Sequence, residues 1–464
     1  MKIFRFIGLI FFCLPFISIA QKADFVVLRK IYLHGNHRTK DRIVLREMDV
    51  KEGDTLLLAK LDTLLNNNRN RIYNTRLFNE VNLLLLPDSA NYKSLLVELI
   101  ERWYIFPIPI FELADRSFNE WWYNQSHELN RLNYGVRFSD KNFRGRKEEL
   151  RLIVQGGFTK KLGLGYTVPY LNKKQTLGMD MDMMYDQNKQ ISFVTKDNKQ
   201  QFLKTDDLLR ERLRMGINFF YRRSFFATHT FGLRYNRTRV ADTIGRLNTD
   251  YFRFGDSKQN YFQFSYEFTF DKRDVRAYAQ KGYFINFSYE QRGFTPLDDV
   301  NIAVLEASFS KYQPLGRNFF FASLSKGKAF FPNKIPYYNT RAMGYDQDYV
   351  RGYDLYVIDA QMFALQRLTF RKKLFEKEVM VRSFLPMRQF NKVPFAAYLN
   401  AYYDIGYGYS STIFPGNQYL SNEWLRGGGI GIDVVTYYDS VIRLEYSINK
   451  MLERRIYLAF TTDI

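Results

Sequence analysis

The sequence predicts a mainly β protein: a sixteen-stranded transmembrane β-barrel preceded by one small β-α-α-β-β domain. Three observations carry that expectation. From Trp103 onward, apolar and polar residues alternate with a period of two, in segments of about ten residues. The 464 residues include 43 Phe, 34 Tyr and 4 Trp, an aromatic excess of the kind that interfacial girdles need. Beyond the N-terminus no run reaches about 18 consecutive apolar residues, which excludes a helical transporter or receptor.

Residues 1–20 read as a signal peptide. Lys2 and Arg5 precede an apolar run from Phe6 to Phe16, and Ser18-Ile19-Ala20 puts small residues where a peptidase needs them. Pro15 breaks the run, which is short for a membrane anchor. Cys13 lies inside this segment, with bulky Phe12 before it, so it is a poor lipoprotein cysteine. Cleavage leaves a mature chain without cysteine and with a charge of +18 out of +20. Such an exported chain draws no stability from disulfides, and a closed barrel supplies it instead.

Residues 21–102 follow the grammar of a small soluble domain. Val26 to Leu33 reads as a strand ending at the turn Gly35-Asn36. A helix is expected near Lys40 to Met48, with Thr39 as its N-cap. A second helix follows from about Leu57 to Thr75, with Leu61, Leu64, Leu65 and Ile72 near helical spacing. Phe78 to Leu86 and Tyr92 to Glu101 are strands joined by the turn Pro87-Asp88-Ser89-Ala90. With 14 basic and 11 acidic residues this domain is nearly neutral, so most of the positive charge sits downstream.

Residues 103–464 form the barrel. Phe262, Phe264, Tyr266, Phe268 and Phe270 alternate with Gln263, Ser265, Glu267 and Asp271. Ile442, Leu444, Tyr446 and Ile448 alternate with Arg443, Glu445, Ser447 and Asn449. A soluble sandwich alternates too, but the signal peptide, the aromatics and the strand count favour a barrel with a polar lumen. The strands are expected near 103–111, 131–139, 148–157, 160–168, 176–187, 210–222, 228–238, 260–271, 282–292, 301–312, 317–329, 357–371, 395–408, 425–436, 440–449 and 454–463. An even count puts both ends of the barrel on one side. Long connections at 112–130, 188–209, 239–259, 330–356 and 409–424 then share the outer side. The 372–394 connection, after an even strand, is too long for the pattern.

Specific phrases point to a family. Leu33-His34-Gly35-Asn36-His37-Arg38-Thr39 and Asn74-Thr75-Arg76-Leu77-Phe78-Asn79-Glu80-Val81 resemble the POTRA (polypeptide-transport-associated) module. Val350-Arg351-Gly352-Tyr353, in the long connection after the eleventh strand, resembles the VRG(F/Y) motif of the BamA/TamA outer-membrane assembly family. The resemblance implies that this loop folds into the lumen and that Arg351 docks on the inner wall. The implied partner is the aromatic-x-Asp-x-Gly phrase Tyr402-Tyr403-Asp404-Ile405-Gly406, on the thirteenth strand. Parity agrees, since Leu399, Ala401, Tyr403 and Ile405 form the lipid face and Asn400, Asp404 and Gly406 point inward. Asp271-Lys272-Arg273-Asp274 with Gly282 resembles the family's turn between the eighth and ninth strands, on the periplasmic side. Arg426 to Asp433 and Arg443-Leu444-Glu445-Tyr446 resemble its last hairpin. A single POTRA module departs from BamA, TamA and two-partner secretion transporters, which have more. The terminal Thr461-Thr462-Asp463-Ile464 departs from the usual final aromatic.

The resemblance implies an outer-membrane location in a diderm bacterium, with the POTRA module in the periplasm. It implies clients that are unfolded outer-membrane or surface proteins, contact with outer-membrane lipids, and periplasmic accessory subunits. Pro107 and Pro109 mark the first strand as one side of a seam with the last, because each lacks an N–H. Their shared parity puts both missing donors on one edge, and the sequence leaves open which neighbour that edge faces.

Catalysis finds little support. His34, His37, His127 and His229 show no ligand spacing, and no metal or other cofactor is expected. The glycines at 427–431 lack the Lys-Ser/Thr of a phosphate loop. The basic residues are dispersed rather than clustered, which argues against nucleic acid. A passive porin or a barrel enzyme such as a lipase remain the rivals; the first needs no POTRA module, and the second needs a Ser-His pair facing the membrane.

Overall fold

The computed structural model describes residues 25–461, apart from 90, 114–117, 125, 173, 206, 333, 381–391, 412–418 and 437–439. The signal segment and residues 462–464 lie outside this range.

The N-terminal domain runs β1 (Phe25–His34), α1 (Asp41–Leu45), β2 (Thr55–Leu57), α2 (Leu58–Tyr73), β3 (Phe78–Ser89) and β4 (Tyr92–Glu101). Its sheet has the order β2-β1-β4-β3, with β1 and β4 parallel. Parallel neighbours need a crossover, and the two helices provide it. Helix α2 turns Leu61 and Ile72 onto Leu28, Ile43, Val44, Phe78 and Val97, which form the domain's core. Three details differ from expectation. The strand β2 has three residues, too few to show a period, and pairs with the first residues of β1. Strand β3 runs on to Ser89 through the expected turn. The cap position of α1 is Lys40, with no side-chain bond, so Thr39 does not cap it.

The barrel strands are β5 (Ile105–Leu113), β6 (Leu132–Phe143), β7 (Glu148–Gly157), β8 (Thr159–Val168), β9 (Leu177–Asn188), β12 (Arg210–Arg222), β13 (Ala227–Val240), β14 (Lys258–Asp271), β15 (Gly282–Arg292), β16 (Ile302–Gly316), β17 (Phe319–Phe331), β18 (Met362–Met380), β19 (Lys392–Tyr409), β20 (Trp424–Thr436), β21 (Ser440–Asn449) and β22 (Arg454–Thr461). These sixteen form one sheet in sequence order. The expected bounds coincide with those of β7, β12, β15 and β21. Met183, Phe264, Leu399, Tyr403 and Leu444 are exposed on the outside, while Asn400, Asp404, Asp433 and Ser447 are buried inside. That division follows from the two-residue period.

Two connections differ from expectation. The 188–209 connection contains a hairpin, β10 (Gln190–Lys196) and β11 (Lys199–Lys204), that forms its own two-stranded sheet. Of the 372–394 connection, the described residues 372–380 and 392–394 are strand, because β18 and β19 stay paired as far as Met380 and Lys392, and 381–391 lie outside the described residues. At the end far from the N-terminal domain, Ile191, Leu209, Val240, Ile244, Phe252 and Tyr337 pack into a small core. This core joins the β10–β11 hairpin to helix α4 (Asp242–Leu247) and to the connection between β17 and β18. A cap thus covers that mouth.

Candidate functional site

The connection between β17 and β18 enters the lumen. Val350, Arg351 and Tyr353 are 1, 3 and 2 % exposed. The Arg351 guanidinium donates from Nε to Asp404 Oδ2 at 2.8 Å and from Nη2 to Asp404 Oδ1 at 2.7 Å. This forked pairing is the strong form of an arginine–carboxylate bond. Arg351 also donates to Thr369 Oγ1 at 2.9 Å and to Glu445 Oε1 at 3.2 Å, and lies 3.8 Å from the Tyr402 ring centroid. Its backbone N–H adds a bond to Asp404 Oδ2 at 3.1 Å.

The wall is cut back to receive this loop. A Cβ on Gly406 would stand 2.5 Å from Val350 Cγ2, and one on Gly427 would stand 1.9 Å from the Arg351 carbonyl oxygen. Only glycine permits such approach. Gly352 has φ of +94°, and its carbonyl accepts from Asn449 Nδ2 at 3.0 Å.

The charge network continues toward the other mouth. Arg443 lies 3.7 Å from Glu445 and donates from Nε to Asp433 Oδ1 at 2.8 Å. Asp433 also accepts from Asn400 Nδ2 at 2.9 Å and from the Tyr278 hydroxyl at 2.7 Å. Tyr278 belongs to the turn between β14 and β15. In that turn Asp271 holds Arg273 and Arg276, each at 2.9 Å, and Asp274 accepts the backbone N–H groups of Gln280 and Lys281. These bonds shape the turn so that Tyr278 reaches inward, where Arg371 lies 4.3 Å from its ring centroid.

The N-terminal domain is clamped over this mouth, and the central pair of the clamp, Glu47 with Arg222, is one that sequence reasoning did not single out. Glu47, after α1, is 2 % exposed. Its two oxygens accept from Arg222 Nη1 at 2.7 Å and Nη2 at 2.9 Å, and Arg46 Nη1 adds 2.8 Å. Burial alone would raise this carboxyl. The hydrogen bond and charge of Arg222, with Lys147 and Arg46 nearby, hold it down at about 2. The Thr39 hydroxyl meets Tyr104 Oη at 3.0 Å and accepts from Asn142 Nδ2 at 2.9 Å, which explains why it does not cap α1. Arg38 pairs with Asp140 at 2.7 Å, and Asn74 Nδ2 donates to the Asp274 carbonyl at 3.2 Å.

The comparisons with known proteins agree with this architecture. A model described as the Omp85 superfamily domain matches residues 142–450. The chain belongs to the Omp85 superfamily. A POTRA model, described as surface antigen variable number repeat, matches residues 26–99. BamA from Haemophilus ducreyi lacking POTRA domains 1-3 is 15% identical with a TM-score of 0.51, covering 94% of this chain and 84% of that one. CdiB from Escherichia coli is 12% identical with a TM-score of 0.56, covering 94% and 75%. No curated protein sequence matches the chain.

The Omp85 barrel has one junction unlike the rest. Among the described residues no ladder joins β5 to β22, which stand at the two ends of the sheet. The N–H of Lys141 donates to the Tyr104 carbonyl at 3.0 Å, and Pro107 and Pro109 stand opposite Phe138 and Val136 of β6. Antiparallel ladders alternate, so residues 104, 106, 108 and 110 direct their backbone groups at β6. Pro107 and Pro109 therefore direct their donorless nitrogens to the opposite edge, the one on the β22 side. Across the far end of this junction, Arg455 of β22 lies 5.0 Å from the ring centroid of Tyr123 in helix α3 (Phe118–Asn124). No cluster of three or more His, Cys, Asp or Glu that could hold a metal occurs among the described residues.

Proposed function

We propose that this Omp85 barrel assists the insertion, assembly or translocation of outer-membrane or surface proteins. Its place is the outer membrane of a diderm bacterium, with the POTRA domain in the periplasm. The clients are unfolded barrel or surface proteins, outer-membrane lipids surround the wall, and periplasmic accessory subunits meet the POTRA domain. Strand β3 is an edge of the POTRA sheet with Leu84 and Leu86 exposed, a suitable rail for strand addition.

One observation carries the reading. The lumen holds an arginine-locked loop, while the wall has one junction whose free edge lacks two donors. A passive porin needs the reverse, an open lumen and a sealed wall. A lipase needs a serine beside a membrane-facing histidine, whereas the His229 ring meets the Tyr266 hydroxyl at 2.9 Å.

The test uses the cysteine-free mature chain. Cysteine pairs are scanned between residues 105–110 and 456–460, and the resulting disulfides lock the junction. Client assembly should stop in the oxidised barrel and return with a reductant. Full activity in the locked barrel rules out passage of client strands through this junction, and large steady conductance in planar bilayers supports the porin.

A further inference from the structure

At the POTRA end, β18 and β19 outrun their neighbours. The first residue of β17, Phe319, pairs with Lys372, and β20 accompanies β19 only as far as Ala396. Beyond these points the described residues of β18 and β19 pair with each other as far as Met380 and Lys392, with Lys373 donating its N–H to the Asn318 carbonyl at 2.9 Å. Every residue from Leu374 to Met380 is exposed.

A bulge between Lys373 and Phe375 decides which face each side chain takes. Without it, Glu376 and Glu378 would continue the lipid-facing series of Leu368 and Phe370. With it, Phe375, Lys377 and Val379 continue that series, opposite Ala397, Phe395 and Val393. Those three extend the lipid-facing parity of Leu399 and Ala401 on β19. Phe375 and Phe395 stack with centroids 6.2 Å apart and planes 12° apart. Phe375 is 44 % exposed and Val379 50 %. The carboxylates fall on the other face, where Glu376 pairs with Lys373 at 2.7 Å. Among the described residues the outward face thus combines rings, aliphatic groups, Lys372 and Lys377 with no carboxylate.

We infer that this outward face is a lipid-docking surface, seated on anionic headgroups of the leaflet at the POTRA end. It is continuous with the lipid-facing band of the barrel. Aromatic and aliphatic groups enter the acyl boundary while lysine stems carry their charge to the phosphates. An isolated two-stranded hairpin is marginal in water, and the leaflet supplies the surface that it lacks. The inference rests on the barrel's seat in a membrane and stands apart from client handling.

The test labels single cysteines with a polarity-sensitive dye in the full mature chain, folded into vesicles. Val379→Cys reports the outward face and Glu378→Cys the inward one; the heat-modifiability of each variant confirms a folded barrel. In phosphatidylglycerol vesicles the dye at 379 should shift to the blue and be quenched by brominated acyl chains, while the dye at 378 stays water-like. Lys377→Gln should weaken the effect at 379 in anionic vesicles by about fivefold, the factor for one lysine near such a surface. A dye at 379 that stays water-like in every vesicle overturns the inference. Shielding that appears only when an unfolded barrel protein is added also overturns it, and assigns the face to a polypeptide.

Discussion

One buried arginine–carboxylate pair fastens the lumen loop and another fastens the POTRA domain, and the two are built in opposite senses. In the lumen the loop brings the cation, Arg351, and the wall supplies Asp404 and Glu445. At the POTRA end the appended domain brings the carboxylate, Glu47, and the wall supplies Arg222. The first pair is almost dry, with side-chain exposures of 4 and 0 %. In the second, Glu47 is 2 % exposed while Arg222 keeps 21 %. A dry pair is costly to part, because either charge left alone keeps its burial. A pair with one wetted partner parts more easily, since water takes up the guanidinium. Of the two pairs, the one in the lumen is therefore the costlier to part.

Deleting residues 24–102 breaks the comparison most completely. The barrel strands should still pair and fold, because their ladders do not pass through the domain, while client assembly should be abolished. Heat-modifiability on gels and an assembly assay with an unfolded barrel client separate the two outcomes. Arg351→Ala comes next. It leaves Asp404, at 0 % exposure, with the 3.9 Å approach of Arg367 for a counter-charge and should cost about 3 kcal/mol of barrel stability, read as a lower unfolding temperature together with reduced assembly.

Glu47→Gln should cost less, about 2 kcal/mol of domain docking, because Arg222 remains partly hydrated. The same pair responds to acid. Glu47 has its carboxyl depressed to about 2 from 4.5, so its contribution is fully present above pH 4.5 and is lost as pH falls toward 2. Hydrogen exchange in the POTRA domain should rise over that window in the wild type and change less in Glu47→Gln. The smallest expected effect is Tyr278→Phe, which removes one hydrogen bond to Asp433 and should cost about 1 kcal/mol. Unfolding in denaturant resolves a change of that size.

The barrel was legible because a two-residue period is a local signal, repeated sixteen times and reinforced by parity. Asp404 and Gly406 could be placed inward from Leu399 and Tyr403 alone. The Arg351 loop was legible only through its resemblance, since four residues in a long connection have no period of their own. Glu47 and Tyr278 were missed for the same physical reason: their partners are 175 and 155 residues away, and nothing near either residue encodes the pairing. The sequence Arg276-Ala277-Tyr278-Ala279, an aromatic between small residues in a charged turn, was the one available hint. The β10–β11 hairpin escaped because its strands are short and polar, and Leu374 because one inserted residue looks like any other until the ladder is drawn.

The inward face of β21 reads Arg443, Glu445, Ser447 and Asn449. Each member is engaged: Arg443 with Asp433, Glu445 with Arg351, Ser447 with the Tyr402 hydroxyl, and Asn449 with the Gly352 carbonyl. One rod thus bolts the loop from above and, through Asp433, the Tyr278 turn from below. Side chains along a strand alternate strictly, so sliding this rod by a single residue would turn all four outward and offer Ile442, Leu444, Tyr446 and Ile448 to the lumen. Both mouths would be released in the same stroke. The register of β21, one strand in from the β5–β22 junction, therefore decides whether the whole interior is held.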